Sequence, residues 1–374
     1  MPTNDLKSKQ SELEGEPVPT HSNLHDNQII APHDRILVTG AAGFIGSRVV
    51  ENLLNRGFRD IVCFARPSGK IARIQSASGA RQPGTQLEIL EGNLLSRQDC
   101  EVACRNVTVV FHVAASMTAK SFPDAFMNSV VTTRNVLDAS LRHACLRRFV
   151  LVSSLSVYTN RQKSHLLDES CPIDEHPETR GEAYCFAKVR QEQIVTEYGK
   201  QFGIRYVILR PGSVYGAGQD GITGRIGIRT FGPFLHLGGS NTIPFTYVDN
   251  CADAIVLAGL IDGIDGEAFN VMDDDLPTSR QFLRRYKRRV GSFRSIYVPR
   301  VFSHSFCYLW EKYSHWSEGQ LPPAFNRGQW YANWRKTKYS NEKLKSRLGW
   351  RPRVSTEDGL ESYFRGCGQG TRHA

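Results

Sequence analysis

The chain has 374 residues, 40% of them hydrophobic, and a formal net charge of +10. That length holds one large α/β domain with a smaller lobe, and the apolar content excludes global disorder. The positive balance suits acidic partners or a plain basic enzyme, and no nucleic-acid-binding module accompanies it. Residues 1–33 are polar and proline-dotted, so they read as a disordered tail. From residue 35 onward, short apolar runs alternate with helical patterns. Strands are predicted at 36–39, 60–64, 87–90, 107–112, 148–153, 205–209 and 268–271. Helices are predicted at 45–56, 123–143, 183–202 and 249–260. This alternation implies parallel βαβ units and a doubly wound sheet with helices on both faces. Residues 34–210, joined by 246–274, form the expected sheet domain. Residues 211–245 and 275–374, rich in glycine and then in Arg, Lys, Trp and Tyr, form the expected smaller lobe.

The nine cysteines include no CxxC pair, so no metal site is expected. Buried free thiols fit a reducing compartment. The N-terminal stretch has no apolar signal region, and no run reaches about 18 uncharged apolar residues. The expected location is cytoplasmic.

Gly40, Gly43 and Gly46 are spaced GxxGxxG between the first strand and the first helix. Gly40 permits a tight turn. Gly43 lets a pyrophosphate approach the backbone N–H groups that Phe44 and Ile45 present at the helix start. Gly46 allows close helix–strand packing. The second strand ends at Ala65, where NAD-binding folds carry an acid for the ribose, and Arg66 follows. An arginine there pairs with a 2′-phosphate, so NADP is favoured over NAD.

Tyr184 and Lys188 spell YxxxK on a predicted helix and share one face. An ammonium beside a phenol lowers its pKa towards neutrality and makes it a usable general acid/base. Thirty residues earlier, Ser154 follows the fifth strand at the sheet edge, where open α/β folds place ligands.

With these residues in order, the chain resembles the extended short-chain dehydrogenase/reductases, from about residue 35 to at least 360. That family has a Rossmann-type doubly wound sheet and a smaller substrate lobe. The resemblance implies that Ser154 hydrogen-bonds the substrate oxygen and Tyr184 exchanges its proton. It further implies that Lys188 tunes Tyr184 and holds the nicotinamide ribose. Asn93 and Leu94 are similar to the segment that contacts adenine, with Asn93 in place of the usual acid. Ala114, in His112-Val-Ala-Ala115, is similar to the segment passing the pyrophosphate and ribose. Pro211 and Ser213 are similar to the RPxxVYG run beside the nicotinamide. Asn128 resembles the structural Asn of an NxxGT motif, with Val131 replacing the glycine. A homodimer is implied by the same likeness.

Within the family, Leu155 and Ser156 stand where dehydratases carry Asp and Glu, which argues against dehydration. Ser213 replaces the Asn common in nucleotide-sugar members. The run from Asn241 to Tyr247 lacks their diphosphate-clamping arginine, although Arg225 or Arg229 could substitute. The pattern is closer to the 3β-hydroxysteroid dehydrogenase-like and dihydroflavonol reductase-like branch. Its members interconvert a secondary alcohol and a ketone on a small-molecule substrate. The alternatives are a nucleotide-sugar epimerase or reductase, and a non-catalytic NAD(P)-binding sensor or scaffold.

A basic cluster from Arg284 to Arg300 and an aromatic segment at 302–316 remain. The first reads as a solvated helix face or an anionic contact. The second reads as lobe core, as the lining of an apolar pocket, or as a peripheral membrane contact.

Overall fold

In the computed structural model, residues 28–67, 71–77, 84–117, 119–162, 165–219, 221–229, 232–317 and 325–370 are described. The first strand, β1 (Arg35–Thr39), is buried from Ile36 to Thr39 with an apolar middle, because neighbours cover it on both faces. It pairs in parallel with β2 (Asp60–Ala65) on one side and β4 (Val109–His112) on the other. Outward from β2 lies β3 (Gln86–Glu91), and outward from β4 lies β5 (Arg148–Val152). The Tyr206–Pro211 strand pairs with β5, and the Ala268–Val271 strand pairs with Tyr206–Pro211. The result is a parallel seven-stranded sheet whose order reverses at β1. Reversal opens a crevice beyond the carboxyl ends of β1 and β4, the place where such sheets take ligands.

Helix α1 (Phe44–Asn55) buries Gly46, Val49, Val50 and Leu53, a 3-1-3 spacing that puts one face on the sheet. It packs beside the apolar Val248–Leu260 helix. The predicted helix at 123–143 is one rod of three parts: Phe122–Ala125, a π-helical turn at Phe126–Val131, and Thr132–Leu141. The Ala183–Phe202 helix matches its prediction and ends at Gly203, whose φ of 71° suits glycine.

Two boundary expectations change. Residues 28–33, expected in the tail, are ordered: Ile29 N donates to Leu260 O at 2.8 Å, and Ile30 is buried in the sheet core. The remainder of the expected tail, residues 1–27, lies outside the described residues. Residues 342–350, expected in the smaller lobe, return to the sheet. The Glu342–Leu348 helix and Trp350 put Leu344, Leu348 and the indole into the same core as β1 and α1. Their apolar surface is too small to form a core of its own and is covered by the Ala268–Val271 strand.

Beyond the sheet, Phe234–His236 pairs with Gly227–Arg229 and with Ser295–Tyr297. A separate apolar cluster joins Tyr215, Phe245, Tyr247, Phe282, Tyr363 and Phe364. The Arg300–Trp316 helix buries Ser303, Cys307 and Ser314 and exposes its large aromatic residues apart from the half-buried Trp310, so most of the aromatic segment is not lobe core. All nine cysteines are free. Among the described residues, no acid, His or Cys cluster could hold a metal, and no helix is long and apolar enough to cross a membrane.

Candidate active site

The carboxyl ends of β1 to β5 carry the residues expected at the site. After β1, Gly40 adopts φ 69°, and its carbonyl accepts from Gly43 N at 2.9 Å. A Cβ on Gly40 would lie 3.0 Å from the backbone of Ala114, and one on Gly46 would lie 2.1 Å from Gly40 O. The loop therefore fits only as glycines, with Ala114 pressed against it. Gly43 is exposed and caps α1 without any side-chain hydrogen bond, and the first turn has no acidic residue. Bare N–H groups and the positive helix end face outward there, an arrangement that fits a dinucleotide pyrophosphate. Phe44 and Ile45, in that turn, are half-buried.

Arg66 is exposed directly after β2. After β3, Asn93 N donates to Asp99 Oδ2 at 2.8 Å, and Asn93 Oδ1 accepts from Leu95 N at 3.0 Å. Leu94 is buried beneath that turn. Pro211 ends its strand, and Ser213 N donates to Pro244 O at 2.7 Å.

Ser154 and Tyr184 lie side by side, near enough for the serine side chain to act on the phenol. Ser154 Oγ also accepts from Ser156 N at 3.2 Å, which fixes the serine at the start of the short Leu155–Val157 turn. Lys188 is buried one turn beyond Tyr184, its ammonium 5.8 Å from the phenol ring centre and donating to Val152 O at 2.7 Å. One expectation is corrected here. Burial pushes the Tyr184 phenol up to about 12, with Ser154 opposing it, rather than down towards neutrality. Burial also drives Lys188 down to about 7, with the nearby Glu192 carboxylate opposing. An ammonium so readily deprotonated gives the phenol little help.

Two buried networks hold this arrangement, and the sequence reading missed both. Thr39 Oγ1 contacts His112 Nδ1 at 2.9 Å, and His112 Nε2 contacts Thr133 Oγ1 at 2.9 Å. Gln191 Nε2 then donates to Thr133 Oγ1 at 2.7 Å. This chain braces the glycine loop against the helix carrying Tyr184. His112 stays neutral, since burial and then Lys188 lower it to about 3. Behind Lys188, Glu192 accepts from Ser153 Oγ at 2.5 Å and from Arg210 at 3.0 and 2.7 Å. Arg210 also donates to Tyr158 Oη at 2.7 Å. Gln191 and Glu192 lie three and four residues past Lys188, and that shared face was the available signal.

Asn128 does not tie two elements together. It bonds Asp124 within its own helix, while Asn135 donates to Leu94 O at 2.8 Å and pins the loop after β3. Asn128 lies inside the π-helical turn and Asn135 in the α-helix that follows it.

The fold and these groups together define the class, a chain of the extended short-chain dehydrogenase/reductase type. The family model for the NAD dependent epimerase/dehydratase family matches residues 36–271, and the chain belongs to that family. It is 31% identical over 187 residues to cinnamoyl-CoA reductase 1 of Petunia hybrida, covering 48% of this chain and 54% of the relative. It is 30% identical over 205 residues to a 3 beta-hydroxysteroid dehydrogenase/Delta 5-->4-isomerase of Mycobacterium tuberculosis, covering 53% of this chain and 51% of the relative. The chain thus spans about half the length of these two relatives. A solved UDP-glucuronic acid 4-epimerase of Bacillus cereus, in complex with UDP-glucuronic acid and NAD, superimposes with a TM-score of 0.67 at 24% identity, covering 90% of this chain and 99% of that one. At that identity the likeness is one of fold.

Proposed function

We propose that the protein reduces a ketone to a secondary alcohol on an apolar or aromatic small molecule, taking hydride from NADPH in preference to NADH. The observation that carries this is the pairing of Ser154 with Tyr184 at the carboxyl edge of β5 with Lys188 one turn away. A phenol pushed up to about 12 is protonated through the neutral range, the state a general acid needs for reduction. When bound, the nicotinamide supplies the hydride. Ser154 and Tyr184 donate hydrogen bonds to the carbonyl oxygen and stabilise the charge that develops on it, and Tyr184 then gives up its proton. Lys188 lies where it would hold the ribose and, while charged, ease that transfer.

Arg66 supports the NADP preference by offering a cation after β2. The name of one curated relative, a hydroxysteroid dehydrogenase, favours alcohol–ketone chemistry. The arginines that could clamp a sugar diphosphate are engaged elsewhere. Arg225 donates to Ala332 O at 2.8 Å, and Arg229 lies 5.7 Å from the Phe293 ring centre. The free thiols favour a reducing, cytoplasmic setting. A second reading, epimerisation of a nucleotide sugar, is favoured by the fold likeness to the UDP-glucuronic acid epimerase.

A cofactor-coupled screen with NADPH and NADH against sterol-like ketones, hydroxyketones and sugar nucleotides separates the readings. Turnover of ketones is expected, and Tyr184→Phe should cut kcat by about 10²–10⁴ with cofactor affinity kept. Epimerisation of sugar nucleotides alone would support the second reading. Cofactor binding without any turnover would return the protein to the sensor class.

A further inference from the structure

The Arg300–Trp316 helix is amphipathic in the inverted sense. Its inward face buries Ser303, Cys307 and Ser314, with Trp310 half-buried beside them against Phe325. Its outward face carries Phe302, Phe306, Leu309, Tyr313 and Trp316, exposed by 68, 49, 64, 51 and 77%. At 100° per residue these five fall within about 80° of arc and run along about 21 Å of helix. Single exposed apolar residues are ordinary, but a continuous stripe of aromatic and leucine side chains marks a surface that is covered in use. The Tyr313 and Trp316 rings stack at 5.6 Å, so the outer end of the stripe is itself ordered. Tyr and Trp at the margin of such a stripe suit the boundary between acyl chains and headgroups.

Charge identifies the covering surface. The preceding Ser295–Tyr297 strand exposes Ile296 and Tyr297 and leads directly into the helix. The Arg280 guanidinium lies 5.4 Å from the Tyr297 ring centre, and Lys287 Nζ donates to Ser295 Oγ at 2.6 Å. These contacts join the strand that leads into the aromatic helix to the basic Ser279–Arg289 helix. Arg285 and Arg289 are paired with Glu357 and Glu361 and do not enter the argument. Arg280, Arg284, Arg288 and Arg294 are exposed, and Lys312 is exposed on the aromatic helix itself. We propose that this face docks on an anionic phospholipid bilayer. The stripe would lie at the level of the upper acyl chains, with the arginines against the headgroups. The inference does not depend on which substrate the enzyme takes.

Flotation of the full chain with vesicles tests it. Phosphatidylcholine vesicles containing phosphatidylglycerol should carry the protein at about 0.1 M salt, and several-fold less near 1 M, where the screening length falls from about 10 to about 3 Å. Pure phosphatidylcholine should carry little. Phe302→Ser with Leu309→Ser should lower binding by at least about tenfold, because burial of either side chain is worth more than that factor. Both positions are exposed, and serine and phenylalanine have similar helix propensity, so the fold and its melting point should hold. Arg284→Glu with Arg288→Glu should abolish the preference for anionic vesicles and serves as an independent arm. Equal flotation of the wild type and both variants, or no flotation with either vesicle, overturns the proposal. So does a wild-type dimer that the Ser variant dissociates, since a second copy would then be the covering surface.

Discussion

Replacing Lys188 with methionine tests the electrostatics of the site without reference to any substrate. Lys188 is buried, and burial lowers it from 10.5 to about 7, with Glu192 opposing. Below about pH 7 the ammonium is charged in both the folded and unfolded chains, and the folded state bears the full cost of burying it. Between about pH 7 and 10.5 the unfolded chain holds a proton that the folded chain has released, so this cost fades and stability rises with pH. At about 1.4 kcal/mol per pH unit, the full cost is about 5 kcal/mol. Methionine has similar length and no charge, but it forfeits the bond to Val152 O, worth about 2 kcal/mol for a charged donor. Lys188→Met should therefore be about 3 kcal/mol more stable than wild type at about pH 6 and nearly equal to it at about pH 9. Urea unfolding of both proteins at the two pH values measures the gap, and titrating groups that do not sense Lys188 cancel in the comparison. A gap that stays constant with pH would refute the reasoning, because Lys188 would then hold its proton as tightly folded as unfolded.

Gly46→Ala should weaken cofactor binding by at least about tenfold and lower the Tm, since the new methyl would lie 2.1 Å from Gly40 O and push α1 away from its loop. Calorimetric titration with NADPH checks this, and unchanged affinity would show that the loop yields. Arg66→Asp should raise the KM for NADPH by about 1.4–3 kcal/mol equivalent, tenfold or more, while NADH changes little. Parallel loss with both cofactors would remove Arg66 from the phosphate site. Glu192→Ala should cost about 3–5 kcal/mol in urea unfolding, because it strands the buried Arg210 guanidinium. A loss below about 1 kcal/mol would mean that water reaches the pair.

The sheet was legible because its strands are short apolar runs between turn residues, a pattern that needs no knowledge of partners. The glycine loop was legible for a related reason: each glycine answers a local backbone demand. The Glu192–Arg210 pair was not, because nothing in either residue's neighbourhood announces a partner eighteen positions away on another element. The protonation of Tyr184 was misjudged on similar grounds. YxxxK places an ammonium near a phenol, but the depth at which both lie decides whether charge or burial wins. The aromatic segment shows the limit of periodicity, which located an apolar stripe at 302–316 but not the face it turns to its own fold. Gly349-Trp350-Arg351-Pro352 resembles a late family landmark, but its indole was placed with the smaller lobe, since a single Trp after a short helix could belong to either core.

The parallel order of the sheet sets a timetable for synthesis. β1 leaves the ribosome early, yet its neighbour β4 follows only some seventy residues later, and the outermost Ala268–Val271 strand much later still. Ile29 is clasped by Leu260, and the core around β1 is closed by Trp350. The nascent chain thus carries its earliest strands unsealed until its last quarter has been made. A chain cut short before the Ala268–Val271 strand would therefore leave apolar strand faces open, a sticky fragment rather than a smaller folded unit.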